Sequence, residues 1–276
     1  GGTTGLEAAC TAAEVGCNTF LLEEKETLGG LAAEISKIPA KKRLADFPHY
    51  LEHRAAGLDN LYILTGTQAT PENIRKFHPN LIVNATGSGP LLPPINGLMD
   101  NIDKEGGNVY SILGMISHIN DFPQDLEGKK IAVIGGGAVG LDVVEFFAAR
   151  KADISIVEMM DQIGRDLDPV TKNDTKCMMK SHDVHQLTKT ALLEVKADSF
   201  LVKGSEGEYE LPFDYGFVCL GMRAKGQLYS QLLEAFSDDD VEVINIGDSQ
   251  RARRIIDGTM EGRNILYHLT QRGYLD

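Results

Sequence analysis

Several features common in proteins are scarce or missing in this 276-residue sequence. It has no tryptophan, only four cysteines, and no apolar run near the ~20 residues that a helix needs to cross a bilayer. The cysteines form no CxxC or similarly close pair, so their spacing predicts no disulfide scaffold, zinc knuckle or redox-active dithiol. They are Cys10, Cys17, Cys177 and Cys219. Because reduced thiols are typical of the cytoplasm, we expect a cytoplasmic protein, and no residue pattern indicates a metal site.

Positive charge is also scarce. Lysine and arginine together number 27 against 40 aspartates and glutamates, so the formal net charge is −13. Such a surface repels phosphate backbones and anionic lipids, and we therefore expect neither a nucleic-acid nor a membrane partner. Hydrophobic residues make up 42% of the chain, which is enough for folded cores, and the length fits two domains.

A dinucleotide-binding fingerprint lies in the middle of the chain. A strand pattern at residues 130–134 is followed by Gly135, Gly137 and Gly140, then by a helix pattern and a second strand pattern that ends at Glu158. Glycines let the backbone approach a pyrophosphate at the start of a helix, and a carboxylate after the second strand accepts hydrogen bonds from ribose hydroxyls. Because the three residues after Glu158 include no lysine or arginine, we expect this site to prefer NADH to NADPH.

The N-terminal residues repeat this fingerprint 135 positions earlier. Seven residues match without a gap: Gly1, Gly2, Gly5, Leu6, Ala13, Glu23 and Gly29 correspond to Gly136, Gly137, Gly140, Leu141, Ala148, Glu158 and Gly164. This offset puts the first motif glycine at position 0 and its strand before that, so we expect the N-terminal unit to lack its first strand. Further on, one apolar strand pattern runs into Gly87 and another into Gly221, 134 positions later. The sequence therefore predicts two copies of one nucleotide-binding architecture.

A further strand pattern ends at Gly247 and Asp248, and a helix pattern follows from Ile255. An aspartate beside a helix N-terminus is suited to hold a polyol and the electron-rich edge of a ring. The same pattern is equally typical of a strand and a helix that close a sheet. The residues alone leave both interpretations open.

Taken together, these motifs resemble the flavoproteins with two dinucleotide-binding domains, in which an NAD(P)H domain is inserted into an FAD domain. Residues 38–41, 157–167 and 248–262 are similar to one bacterial branch of the NADH:flavin oxidoreductases, the old yellow enzyme-like family. That branch contains the 2-enoate reductases and the 2,4-dienoyl-CoA reductases. The disulfide reductases of the same superfamily fit less well, because the redox cysteine pair is missing.

The expected fold is α/β, with two Rossmann-like, doubly wound units of mainly parallel strands. We expect a discontinuous FAD-type domain at 1–103 and 226–276, without its first strand, and an inserted NAD(H) domain at 104–225. In the family, a barrel domain with FMN and a segment with a 4Fe-4S cluster precede these domains, and neither is in this sequence. The resemblance implies that NADH passes hydride to FAD, for onward reduction of an activated C=C bond by that upstream barrel domain of the same polypeptide. We expect the isolated segment to be inactive.

The resemblance also assigns cofactor contacts residue by residue. It implies no catalytic side chain, because hydride transfer between nicotinamide and flavin needs no protein acid or base. Gly247 and Asp248 would hold the ribityl chain of FAD, and the backbone around Ile255 and Ile256 would face the isoalloxazine. The ADP half of FAD would be lined by Gly2, Gly5, Glu23, Gly29, Gly30, Thr86 and Gly87. NADH would be held by Gly135, Gly137, Gly140, Glu158 and Gly221. The alternative is a module that holds ADP without redox chemistry, as in proteins that resemble trimethylamine dehydrogenase.

Overall fold

The computed structural model describes residues 1–275, which fall into two compact units. The outer unit consists of Gly1–Lys37, Lys41–Gly89 and the chain from Arg223 onward, and the central unit consists of Ile38–Ala40 and Pro90–Met222. None of the helices in the described chain is both long and apolar enough to span a membrane. The functional domain bounds near residues 103 and 225 stay a prediction, because compact packing alone does not delimit a cofactor-binding domain.

Helices and short strands alternate along the chain. The helices are α1 (Thr3–Glu14), α2 (Gly30–Ile35), α3 (Asp46–Ala56), α4 (Pro71–Arg75), α5 (Leu98–Asn101), α6 (Ile112–Ser117), α7 (Ala138–Ala148), α8 (Pro169–Ser181), α9 (Gln227–Ala235), α10 (Ile255–Arg263) and α11 (Ile265–Gln271). The strands are β1 (Thr19–Leu22), β2 (Leu61–Leu64), β3 (Leu81–Asn84), β4 (Ser88–Pro90), β5 (Val109–Tyr110), β6 (Lys130–Ile134), β7 (Asp153–Val157), β8 (His185–Leu187), β9 (Ala191–Val195), β10 (Ser199–Gly204), β11 (Gly207–Pro212), β12 (Tyr215–Val218), β13 (Met222–Ala224) and β14 (Glu242–Asn245). Short 3-10 helices span Pro39–Ala45 and Gly247–Ser249.

A five-stranded parallel sheet forms the frame of the central unit. Its strand order is β5-β12-β6-β7-β8, and α7 packs against β6 and β7. Apolar residues fill four of the five positions of β6 and all four are buried, as befits a strand paired on both sides. The antiparallel strands β11-β10-β9 form a second sheet, and Phe200 of β10 shares a buried cluster with Val157 of β7 and Val218 of β12.

The outer unit also has parallel strands, but in two separate pairs, β1-β2 and β14-β3. The 135-residue offset relates β1 to β7, and the matching glycines Gly87 and Gly221 relate β3 to β12. In the central unit, β6 lies between β12 and β7 and pairs with both. Residues 1–275 supply no strand that pairs with both β3 and β1.

Helix α1 packs against both pairs of strands in the outer unit. Leu6 and Ala9 share a buried cluster with Leu21 of β1, whereas Ala8 shares another with Ile244 of β14. Alanines on several faces let the helix lie close to each neighbour. The expected α/β fold with Rossmann-like parallel sheets is confirmed, and in both units the glycine motif stands at the start of the helix that the sheet supports.

Candidate dinucleotide-binding sites

Glu158 fixes the glycine turn of the central unit. Its Oε2 accepts a hydrogen bond from the Gly136 N–H at 2.7 Å, and its Oε1 accepts one from the Met160 N–H at 2.8 Å. The Gly136 carbonyl accepts in turn from the Gly164 N–H at 2.7 Å. Two main-chain donors therefore orient the carboxylate, and each of its oxygens keeps a lone pair for the hydroxyls of a ribose.

The outer unit repeats these three contacts 135 positions earlier. Glu23 Oε2 lies 2.9 Å from the main-chain nitrogen of Gly1, and Oε1 accepts from the Lys25 N–H at 2.9 Å. The Gly1 carbonyl accepts from the Gly29 N–H at 2.8 Å. Burial raises the pKa of Glu23, whereas the hydrogen bond from the Lys25 N–H lowers it, because that donor favours the ionised form. These main-chain contacts orient the Glu23 carboxylate as an acceptor.

The three glycines of the central motif are required for different reasons. Gly135 has a φ of +104°, and a Cβ there would lie 2.2 Å from the Cys219 carbonyl oxygen. A Cβ on Gly140 would lie 1.9 Å from the Gly135 carbonyl oxygen. Gly137 has extended backbone, and a Cβ there would meet no atom within 4 Å in the described chain. Packing therefore requires Gly135 and Gly140, whereas Gly137 faces open space in which a ligand can approach the backbone.

Both motif helices begin without a side-chain cap. Helix α7 follows Gly137 and α1 follows Gly2, and neither glycine can supply an acceptor for the first amide groups of its helix. The positive end of the helix dipole adds to the attraction for negative charge at this point. Together with the open space at the glycine turn, this arrangement fits a pyrophosphate.

In the outer unit, a second glycine turn packs closely against the first one at Gly2. Gly29 and Gly30 have φ of +97° and +55°, and a Cβ on Gly30 would lie 2.8 Å from the Gly2 Cα. The corresponding positions of the central unit hold Gly164 and Arg165. A side chain at position 30 would separate the two loops, so the double glycine is needed for their close approach.

Two further glycines end corresponding strands of the two units. Gly87 follows β3 and Gly221 follows β12, with φ of +74° and +104°, and neither would meet a described atom within 4 Å if it carried a Cβ. The exposed Thr86 hydroxyl lies 3.2 Å from Asn84 Oδ1 and 3.2 Å from the Lys225 carbonyl oxygen. These residues lie at the carboxyl edge of parallel strands, where α/β sheets bind their ligands.

Asp248 lies at the same sheet edge as Gly87, because β14 pairs in parallel with β3. Its Oδ2 accepts from the Ser88 hydroxyl at 2.9 Å and its Oδ1 accepts from the Arg253 N–H at 3.0 Å. Both oxygens are therefore held in place, and each keeps a lone pair for the hydroxyl of a polyol.

Thr4, in the first turn of α1, is in close contact with the glycines around Asp248. A Cβ on Gly247 would lie 2.7 Å from Thr4 Oγ1, and one on Gly258 would lie 2.2 Å from the same atom. A Cβ on Gly262 would lie 2.8 Å from the Thr4 carbonyl oxygen. These contacts bring the start of α1, the turn at Gly247 and the glycine face of α10 close together.

Three residues that hold this site were missed by sequence reasoning, namely Thr4, Ser88 and Glu261. Glu261 Oε2 accepts from the Gly247 N–H at 2.6 Å and the same carboxylate pairs with Arg253. Ser88 stands 160 positions from its partner, so that no local spacing reveals the contact. Gly258 and Gly262 are four residues apart and so lie on one face of α10. This spacing was a signal in the sequence for close packing against another element.

The expected residues divide between the two units. The outer group is Gly2, Gly5, Glu23, Gly29, Gly30, Thr86, Gly87, Gly247, Asp248, Ile255 and Ile256, and the central group is Gly135, Gly137, Gly140, Glu158 and Gly221. Their roles as cofactor contacts stay a prediction. Within residues 1–275, no group of three or more His, Cys, Asp or Glu is arranged to hold a metal ion. Burial raises the pKa of the Cys219 thiol, which disfavours the thiolate form.

Comparison with known proteins agrees with this arrangement. The model of the family described as pyridine nucleotide-disulphide oxidoreductase matches residues 50–247. An NADH oxidase from Thermoanaerobacter brockii is 28% identical over 272 residues, which cover 98% of this chain and 40% of that protein. A bilirubin reductase from Mediterraneibacter gnavus is 29% identical over 263 residues, which cover 95% of this chain and 38% of that protein.

A solved structure shows the same fold. The complex of 2-naphthoyl-CoA reductase with 2-naphthoyl-CoA aligns with a TM-score of 0.81 and 21% identity, over 96% of this chain and 38% of that one. The chain thus spans about 40% of the length of the curated relatives it matches. The family match covers most of the chain and confirms the resemblance inferred from the motifs.

Proposed function

Because this chain belongs to the pyridine nucleotide-disulphide oxidoreductase family, we propose that its outer unit binds FAD, its central unit binds NADH, and hydride passes from NADH to FAD. The observation that carries the proposal is the repeated cradle, in which Glu23 and Glu158 hold equivalent glycine turns through equivalent atoms. One such turn suits one adenosine diphosphate group. Two turns suit the two dinucleotides that a hydride transfer needs.

The residues of the outer unit fit FAD. The amides at the start of α1 would bind the pyrophosphate, Glu23 would accept from the adenosine ribose, and Asp248 would accept from the ribityl hydroxyls. Ser88 and Arg253 keep Asp248 oriented. When bound, the two cofactors supply the redox chemistry, and the protein binds, orients and excludes water.

The residues of the central unit fit NADH. Gly137 leaves the space for a pyrophosphate, and the amides at the start of α7 face it. Glu158 would accept from the ribose hydroxyls of the adenosine. A 2′-phosphate at that position would face the Glu158 carboxylate and then Asp161, so the site disfavours NADPH.

From FAD, the electrons would pass to a further domain. We infer onward reduction of an activated C=C bond, of an enoate or dienoyl-CoA type, by a barrel domain with FMN and a 4Fe-4S cluster in the same polypeptide. The relatives support this inference, since they include an NADH oxidase, a bilirubin reductase and a 2-naphthoyl-CoA reductase, and each is more than twice as long as the matched region.

Anaerobic reduction of the flavin tests the proposal. The complete gene product, loaded with FAD, is mixed with NADH, and absorbance is followed at about 450 nm, where oxidised flavin absorbs. We expect bleaching that depends on NADH and that needs at least tenfold more NADH in Gly137→Ala to reach the same rate. Protein that retains FAD but is not bleached by NADH would overturn the proposal.

A second candidate is an ADP-binding module without redox chemistry. It is favoured by one observation: Glu23 is held at the glycine turn where it would contact the adenosine ribose, which ADP and FAD share. Mass spectrometry of the nucleotide released by denaturing the native protein separates the candidates. FAD supports the first, and ADP alone supports the second.

A further inference from the structure

Helix α10 presents its large apolar side chains to solvent and its glycines to the core. Gly258 and Gly262 are buried against Thr4, as described above. Ile256 and Met260, about 200° away around the helix, are 59% and 58% exposed. A surface helix of a globular protein normally has the opposite arrangement, with its apolar stripe turned inward. The outward stripe is therefore a surface that is suited to contact another protein surface.

Positive charge is concentrated in the sequence around this stripe, although the chain as a whole is strongly acidic. Residues 251–263 contain four arginines and two acids, in a protein with a net charge of −13. The Arg251 side chain is exposed and forms no ion pair within residues 1–275. The Arg254 side chain is 84% exposed and its nearest carboxylate oxygen, on Asp257, is 3.5 Å away. We use the name α10 ridge for the exposed Ile256 and Met260 of the helix together with Arg251, which precedes the helix, and Arg254 at its N-cap.

A bound flavin does not account for the whole ridge. The resemblance puts the isoalloxazine against the backbone at the start of α10, near Ile255 and Ile256. Met260 lies four residues further, which is about 6 Å along the helix axis away from that end. Its exposed side chain is therefore left for a different occupant.

We propose that the α10 ridge docks the electron-accepting domain of the same polypeptide, through an apolar patch on that domain bordered by carboxylates. The partner's chemistry follows from the ridge: apolar side chains call for apolar contact, and guanidinium groups call for carboxylates. A relative contains additional chain that could form such a domain, because about 60% of the length of the NADH oxidase lies outside the region that matches this chain. The identity of the domain as electron acceptor rests on the proposed function, whereas the docking surface does not.

Cysteine labelling in the complete gene product tests the docking directly. Met260→Cys is compared with Met99→Cys, since Met99 is also 58% exposed, and with Val170→Cys, at 75%. Maleimide incorporation is measured site by site through peptide mass spectrometry, with flavin bound and after its removal. We expect position 260 to react at least tenfold more slowly than both controls in either state. Equal rates, or protection only while flavin is bound, would overturn the proposal.

Rates of electron transfer test whether the docked domain is the electron acceptor. In Met260→Asp and Arg251→Glu we expect NADH to bleach the flavin at the wild-type rate, while turnover with the final acceptor falls at least tenfold. Turnover with the small dye 2,6-dichlorophenolindophenol should not change, and Met99→Asp should behave as wild type. Wild-type turnover with the final acceptor in both ridge variants would contradict the partner assignment. Loss of bleaching in the wild-type protein would instead refute the proposed function, and the labelling result would still decide whether the ridge is covered.

Discussion

Glu23 and Glu158 lie 135 positions apart and hold the main-chain nitrogens of Gly1 and Gly136 through the same carboxylate oxygen, at 2.9 and 2.7 Å. The second oxygen of each bonds to the N–H two residues further along the chain. A surface acid that matched only by chance would not reproduce both contacts. The two glycine turns are therefore versions of the same local structure.

Two alanine substitutions in the central motif should have opposite effects. Gly137→Ala should leave thermal stability almost unchanged, because a Cβ there meets no described atom within 4 Å, but should weaken NADH binding at least tenfold by occupying the ligand's space. Gly140→Ala should destabilise the fold by about 1–3 kcal/mol or more, because its Cβ would lie 1.9 Å from a carbonyl oxygen. Calorimetry and NADH titration check both variants. Equal loss of stability in the two would contradict the assigned roles.

Removal of the charge on Glu158 should relax cofactor selectivity. In Glu158→Gln we expect NADH to bind several-fold more weakly and the preference over NADPH to fall about tenfold, since one like-charge repulsion of about 1.4 kcal/mol is lost. Dissociation constants for both nucleotides, measured by fluorescence titration, give the ratio. Glu23→Gln is the matched control and should leave that ratio unchanged. An unaltered ratio in Glu158→Gln would show that this carboxylate does not face the 2′ position.

A strand placed before Gly1 should stabilise the outer unit. We predict that a six-residue extension patterned on β6 joins β1 to β3 and raises the free energy of unfolding by several kcal/mol, through apolar burial and paired backbone groups. Urea unfolding of the extended and original chains measures the difference. An extension of the same length made of polar residues is the control. Equal stabilities for both extensions would contradict the inferred register.

Glu23 should make stability depend on pH in a defined direction. Because the hydrogen bond from the Lys25 N–H favours the ionised form and lowers the pKa of Glu23 in the folded state, its contribution is present above the unfolded value of about 4.3 and is lost as the pH falls through the lower folded value. The destabilisation caused by Glu23→Gln should therefore be largest near neutral pH and shrink in acid. Urea unfolding at several pH values checks this. A destabilisation by Glu23→Gln that is the same at neutral and at acidic pH would contradict this role of the carboxylate.

Much of the fold could be predicted because the same local sequence pattern occurs twice. Contacts between residues far apart in the sequence could not be predicted. The 135-residue offset located both cradles, because each lies within about 30 consecutive residues. It could not show that Ser88 would meet Asp248, or that Thr4 would lie against Gly258, because these partners are brought together only by folding of the outer unit. The antiparallel strands β9 to β11 have no glycine or acid motif, and their alternating pattern in a polar stretch did not stand out.

The central claim is that the chain holds two equivalent sites for an adenosine diphosphate group, one in each unit. Calorimetric titration of the nucleotide-free complete gene product with ADP tests it most directly. We predict two bound ADP molecules per chain, with one site lost in Glu23→Ala and the other in Glu158→Ala. A single site in the unaltered protein, or loss of both sites through either substitution, would contradict the account.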